Sequence, residues 1–361
     1  MQKKLIALAI ASAMTVPALA YAEVNISGQA NMSVDMLNDG AVTNSASANQ
    51  LNSNQSRLVI KGSDDLGDGL SAMYQLDARF TIDNGGGFGL GGNNFVGLKS
   101  KDLGSVMLGK IDSPYKSAFR GLDVFYDVAG DNRTGVGAIG GLFSTDVRLN
   151  NVLAYVSPSM SGFSVSAAGV FGAENTVNTP PNKKGQAFAL SGMYKMDNIY
   201  AAAAYQNFKV GDAGTGDLGL DSLNAGNGFM GNTTWALDDE AKSWKIGGGY
   251  SMDAFTVNAE VEGITYTPVG VTSTTGTNLY IAGKFAVSDS DSVRVAYTKL
   301  GETKDTGAAN QDGANQFALG YSHDMSKATS VYATYVKETA DVNHNAGADP
   351  SVISLGVKHA F

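Results

Sequence analysis

Leu70-Ser71-Ala72-Met73-Tyr74-Gln75-Leu76-Asp77-Ala78-Arg79-Phe80-Thr81-Ile82 alternates with a period of two. Leu70, Ala72, Tyr74, Leu76, Ala78, Phe80 and Ile82 share one parity, while Ser71, Gln75, Asp77, Arg79 and Thr81 share the other. Successive side chains of a β-strand point to opposite faces, so this stretch separates an apolar medium from a polar one. The pattern recurs along the chain. Trp244, Ile246, Gly248 and Tyr250 alternate with Lys245, Gly247 and Gly249, and Phe255, Val257, Ala259 and Val261 alternate with Thr256, Asn258, Glu260 and Glu262. The carboxyl-terminal run sets Ile353, Leu355, Val357 and Phe361 against Ser354, Gly356, Lys358 and Ala360, with His359 interrupting the apolar face.

Between these runs the connections alternate in size. Short ones fall at 64–69, 101–104, 157–161, 197–198, 253–254, 288–291 and 326–329, and they carry the Gly, Pro, Asn, Asp and Ser chemistry of tight turns. Long polar ones fall near 38–53, 84–92, 112–147, 173–184, 211–240, 267–276, 301–313 and 341–350. This spacing predicts about sixteen antiparallel strands of roughly ten residues, the length of a tilted strand crossing a bilayer. Short turns at one rim and long loops at the other mark a transmembrane β-barrel, with turns in the periplasm and loops outside. A soluble β-sandwich also alternates, but its turns come every 8–12 residues, whereas here a strand plus its connection takes about 21. Aromatic residues of the apolar face, such as Phe188 with Tyr194 and Trp244 with Tyr250, sit near opposite ends of a strand. Girdles at two membrane interfaces place them there.

Composition agrees. Charged residues make up 16% of the 361, against roughly 25% in soluble chains, while mean hydropathy is −0.08. That disfavours a soluble enzyme with a charged surface. After residue 22 no apolar run approaches the ~20 residues of a membrane helix. Without cysteine there is no disulfide framework, thiolate metal site or cysteine nucleophile. The formal charge of −9 argues against nucleic acid as a partner, since phosphate binding needs clustered Lys and Arg.

Residues 1–22, MQKKLIALAIASAMTVPALAYA, carry Lys3 and Lys4, an apolar core from Leu5 to Val16, and Ala20-Tyr21-Ala22. This is the layout of a cleaved secretory signal, with Glu23 as the first mature residue and 23–361 as one barrel domain. Removing the signal leaves 23 basic against 34 acidic side chains, a net charge of −11 that leans toward cation preference.

Motifs for other chemistry are weak. Gly87–Gly92 and Gly135–Gly140 match G-x-G-x-x-G, but neither opens a helical pattern, so both read as loops. His323, His344 and His359 lie apart and lack ligand spacing, so no metal and no cofactor are expected. No G-x-S-x-G elbow supports a hydrolase. The segment 112–147 is too long for an ordinary connection and mixes Asp112, Asp123, Asp127, Asp131 and Asp146 with Arg120, Arg133, Leu122, Val124, Phe125 and Tyr126. Its apolar residues need a surface to pack on. Folding inward would seat them on the barrel wall with the carboxylates in the lumen; folding on itself outside is the alternative.

These residues resemble the general porins of Gram-negative bacteria, most closely the neisserial and betaproteobacterial kind. Ser56–Leu70 through Tyr74-Gln75-Leu76 looks like that family's second strand, first turn and third strand. Leu103–Lys110 resembles the strand entering loop 3, and Asn150–Pro158 the strand leaving it. Phe361 resembles the terminal signal read by the barrel assembly machinery. The resemblance implies a sixteen-stranded homotrimer in the outer membrane, amid lipid and lipopolysaccharide, passing ions and small hydrophilic solutes without catalysis. It also implies a constriction at 112–147 in which Asp123, Asp127, Asp131 and Arg133 face basic wall residues. By parity the wall candidates are Arg57, Arg79, Lys99 and Arg148. Two departures stand out: the Pro-Glu-Phe-Gly loop sequence is absent, and Ala154 and Val156 replace charges. A sugar- or peptide-selective channel is the alternative, and an enzyme or adhesin on the same barrel is a third.

Overall fold

The computed structural model describes residues 23–40, 47–132, 145–171, 185–211, 218, 236–270, 272–302, 313–340 and 349–361. Residues 1–22, the expected signal, and Arg133 lie outside them. The strands are β1 (Glu23–Asn38), β2 (Ser47–Ser53), β3 (Arg57–Gly67), β4 (Leu70–Arg79), β5 (Asn94–Ser100), β6 (Gly104–Asp112), β7 (Arg148–Val156), β8 (Phe163–Val170) and β9 (Gln186–Met196). There follow β10 (Ile199–Lys209), β11 (Glu240–Met252), β12 (Phe255–Thr267), β13 (Thr274–Ala286), β14 (Asp291–Leu300), β15 (Ala314–Asp324), β16 (Thr329–Ala340) and β17 (Ser351–Ala360). A short helix α1 (Pro114–Phe119) and a 3-10 turn (Arg120–Leu122) follow β6.

Each strand pairs antiparallel with its neighbour, and β17 pairs with β1, so the sheet closes on itself. β2 and β3 share one partner. The half of β1 from Met32 to Asn38 pairs with β2, and the half from Glu23 to Gln29 pairs with β3. They are two parts of one crossing, interrupted at Asn54–Ser56, which makes a closed sixteen-stranded barrel. The expected loop 38–53 is therefore partly strand. Ser47–Ser53 reads SANQLNS, which has no apolar alternation to reveal it. Backbone pairing to the long β1 orders it instead. β4 ends at Arg79 rather than Ile82, and Arg79 bridges to Gly89 in the following loop.

The apolar parity faces outward. Val24, Ile26, Val96, Trp244, Ile246 and Val257 are all about half exposed. The opposite parity carries buried polar residues, among them Gln29, Asn31, Lys245, Glu260 and Glu262. Cross-strand partners share a face, so the registers fix which residues line the lumen.

At the seam, Gly28 and Phe361 exchange both backbone hydrogen bonds, at 2.8 and 3.2 Å. A Cβ on Gly28 would stand 2.4 Å from the Arg57 carbonyl oxygen and 2.7 Å from Phe361 Cζ. Only glycine leaves room for the strand and the terminal ring there.

Candidate functional site: charged residues along the inner wall

Ser113 caps α1, its Oγ accepting from the Lys116 N–H at 3.2 Å, and Pro114 occupies the first helical turn. The helix is only six residues long, so packing must hold it. Tyr115, Ala118 and Phe119 bury against Ala189, Ala202 and Ala204 of β9 and β10, where small inward side chains leave room. Further on, Phe125, Val128 and Ala129 pack on Tyr280, Ala282, Ala296 and Ala318 of β13 to β15. The apolar residues of 112–132 thus contact wall residues of the lumen parity.

Polar contacts repeat this around the wall. Tyr115 donates to Glu262 at 2.6 Å, and Thr145 donates to the same carboxylate. Burial, with Glu262 beside it, pushes the Tyr115 hydroxyl well above the ordinary tyrosine range, so it stays a donor at neutral pH. Lys245 on β11 meets Asp146 at 2.9 Å and Glu262 at 3.7 Å, and none of the three side chains is exposed. Asn258 donates to the Leu122 carbonyl at 2.7 Å, Asn132 to Glu260 at 2.9 Å, and Arg294 to the Val124 carbonyl at 3.0 Å.

The expected aspartates divide by role. Asp127 meets Arg57 at 2.9 Å and accepts from Gln29 at 3.0 Å, while its carbonyl accepts from Asn31 at 2.7 Å. Its φ of 63° is left-handed, uncommon for a residue with a Cβ, and these contacts hold it there. Asp123 instead serves the segment's own backbone, accepting from the Phe125 and Asn132 N–H groups and from the Tyr280 hydroxyl. Asp131 accepts from the Asp127 N–H at 3.1 Å.

Of the wall candidates, Arg57 and Arg79 are direct cross-strand partners. Arg79 pairs with Asp77 at 3.0 Å, and Arg148 with Asp112 at 3.0 Å. Asp112 also receives Lys116 at 3.2 Å and Arg120 at 3.4 Å. Arg79 feels both Arg57 and Arg148, so the three guanidinium groups form one basic patch. Lys99 does not join it. It stands opposite Ser71 near the turn end of β5, roughly eight residues or about 27 Å down the wall from Arg79. Ala154 packs with Ile111, Val152, Ala168 and Phe208, an apolar cluster in which a charge would be unpaired.

Lys245, Glu260, Glu262, Tyr280 and Arg294 were not expected from the sequence as site residues. Parity was the available signal, since Lys245, Glu260 and Glu262 sit on the polar face of strands whose apolar face was plain.

Residues 7–343 match the family described as Gram-negative porin. This chain belongs to that family. The porin is 28% identical over 338 residues to an outer membrane porin protein of Bordetella pertussis, a match spanning 85% of this chain and 83% of the other. Its fold superposes on an anion-selective porin from Comamonas acidovorans with a TM-score of 0.71 and 18% identity, covering 94% of this chain and 100% of that one. It also superposes on a trimer form of OmpT from Vibrio cholerae with a TM-score of 0.67 and 16% identity, covering 94% and 99%. The porin is an outer-membrane diffusion channel.

Proposed function

We propose that residues 112–147 form the constriction of this channel, and that solutes are sorted there by size and by field rather than by catalysis. The observation that carries the reading is the Arg57–Asp127 pair at 2.9 Å, which ties the segment to the lumen side of β3 at its first residue. The basic patch on the wall and the carboxylate on the segment orient dipolar solutes and set an electrostatic barrier for ions. Arg133 belongs to the same segment in this reading.

The channel is proposed to act as a homotrimer, as its Vibrio neighbour does in the trimer form. Among the described residues, the exposed large side chains of β1 to β6 are aliphatic, such as Val24, Ile26, Val34, Met36, Val96 and Leu98. Those of β7 to β16 include Phe163, Trp244, Tyr250, Phe255, Phe317 and Tyr335. Aromatic girdles belong to lipid interfaces, so the aliphatic sector is assigned to contact between copies. Lipid and lipopolysaccharide cover the rest, and Phe361 is the residue offered to the assembly machinery.

Single-channel recording of the mature protein in a planar bilayer tests the reading. Large steps arriving in threes support it. Very small or absent steps from a folded barrel would remove it in favour of a closed or substrate-gated channel.

A further inference from the structure

From the level of the anchors Arg294 and Asn31 down toward the turn rim, the inner wall has a different charge pattern. Lys61 stands across from Asn25 and Gln75, Lys99 from Ser71, and Lys195 from Tyr200. Lys284 stands across from Thr256 and Arg294, and Lys358 from Asn31 and Ser330. All five carry the lumen parity, and no cross-strand neighbour named here is a carboxylate. Among the described residues none of the five takes part in an ion pair or a side-chain hydrogen bond. Each lies within roughly seven residues, about 20 Å, of its turn.

Higher on the wall, the basic side chains that hold the segment are paired with carboxylates. Asp112 is shared by Arg148, Lys116 and Arg120, Asp127 by Arg57, and Asp146 and Glu262 by Lys245. Of the lumen-parity carboxylates within the same reach of a turn, Glu23, Asp65 and Asp324 sit at or near strand ends beside the rim, and Glu260 on β12 is engaged by Asn132. Lys358 lines a cavity of about 470 Å³ that opens at that rim, together with Lys327, Asp289 and Asp324. It also lies within electrostatic reach of Arg57, Arg294 and Asp127, so the lysines continue into the basic patch above.

We infer that Lys61, Lys99, Lys195, Lys284 and Lys358 form an anion-collecting belt in the periplasmic half of the lumen, which draws small anions in and makes conduction depend on direction. A wall of one sign in a low-dielectric tube focuses its field and concentrates counter-ions. Because the belt occupies one half only, the counter-ion profile is lopsided, and a lopsided profile rectifies. The chain's net negative charge, which leans toward cations, is thus a poor guide to the water-filled path. The inference rests on the diffusion-channel reading and adds the solute class and the polarity.

The test is the current–voltage curve of single insertions in KCl, each insertion serving as its own reference. At about 0.1 M salt the currents at opposite potentials should differ roughly 1.5- to 2-fold, and the ratio should fall to one at about 1 M, where the screening length shrinks to ~3 Å. Replacing all five lysines with Gln should remove the rectification at low salt and shift the reversal potential toward cations. The corresponding Arg variant should keep both, and K284Q with K358Q should weaken them if the fuller replacement does not fold. A symmetric curve from the unaltered channel at low salt, or rectification that survives the Gln replacements, would overturn the belt while leaving the channel reading intact. Absent steps from a folded barrel would overturn the channel reading itself, and the belt with it.

Discussion

Lys245 and Asp146 meet at 2.9 Å with neither side chain exposed, and Glu262 lies 3.7 Å from the same ammonium. One cation thus joins the return of the long segment, at Asp146, to the wall. The Tyr115 and Phe119 rings, 4.8 and 5.3 Å from Lys245 Nζ, add the start of the segment to the same point. Burying charges costs free energy, which the attraction offsets only when the set is complete.

Removing the cation alone should therefore hurt more than removing the whole set. Lys245→Met leaves Asp146 and Glu262 buried without their partner, and about 3–5 kcal/mol of stability should be lost. Heat-induced mobility shift on a gel should occur at lower temperature, and single-channel current should become noisier as the segment loses its hold. A quiet, unshifted channel would count against the anchor.

Asp127→Asn should keep the fold while freeing the charge of Arg57. Anion permeability relative to cation should rise roughly 2- to 5-fold, on the order of a kcal/mol for a charge in water-filled space. The reversal potential under a salt gradient reads this directly. An unchanged reversal potential would mean that Asp127 does not act on the permeating ions.

Gly28→Val should block closure of the barrel. Its side chain would meet the Arg57 carbonyl and the Phe361 ring, and overpacking of that kind costs roughly 1–3 kcal/mol. Folding yield into detergent, read by heat-modifiable migration, should fall sharply, and Phe361→Ala in the same chain should recover part of it.

The chain has no cysteine, which gives a clean test of the subunit contact. Met36→Cys on β1 should cross-link between copies with a short thiol reagent, and Val257→Cys on β12 should not. The reverse pattern would move the interface to the aromatic side. The processing site is tested separately, since amino-terminal sequencing of the exported protein should begin at Glu23.

Strand content, closure and the outward face were legible because alternation records directly which side of a strand meets an apolar medium. Residues 70–79 needed no more than that. Ser47–Ser53 escaped, since a strand held by backbone pairing alone leaves no mark on side-chain order. For the site, parity located Arg57, Arg79 and Arg148, but it ranked Lys99 with them, because parity gives the face and not the height along the pore. Nor could it match Asp127 to Arg57 over Asp123, whose carboxylate turns back on the segment. Which carboxylate reaches the wall depends on how Phe125 and Val128 pack against Tyr280 and Ala296, and no local pattern encodes that.

The seam between Gly28 and Phe361 joins the sixth residue of the described chain to its last. Among the described residues no other pairing spans so much sequence, so it closes the longest loop of the barrel. The cylinder therefore cannot seal until β17 has been made and exported. A chain without β17 keeps β1 with an open edge, a template for pairing with any other strand. Because β17 is the partner that β1 waits for, closure itself is a check that all the strands between them have arrived.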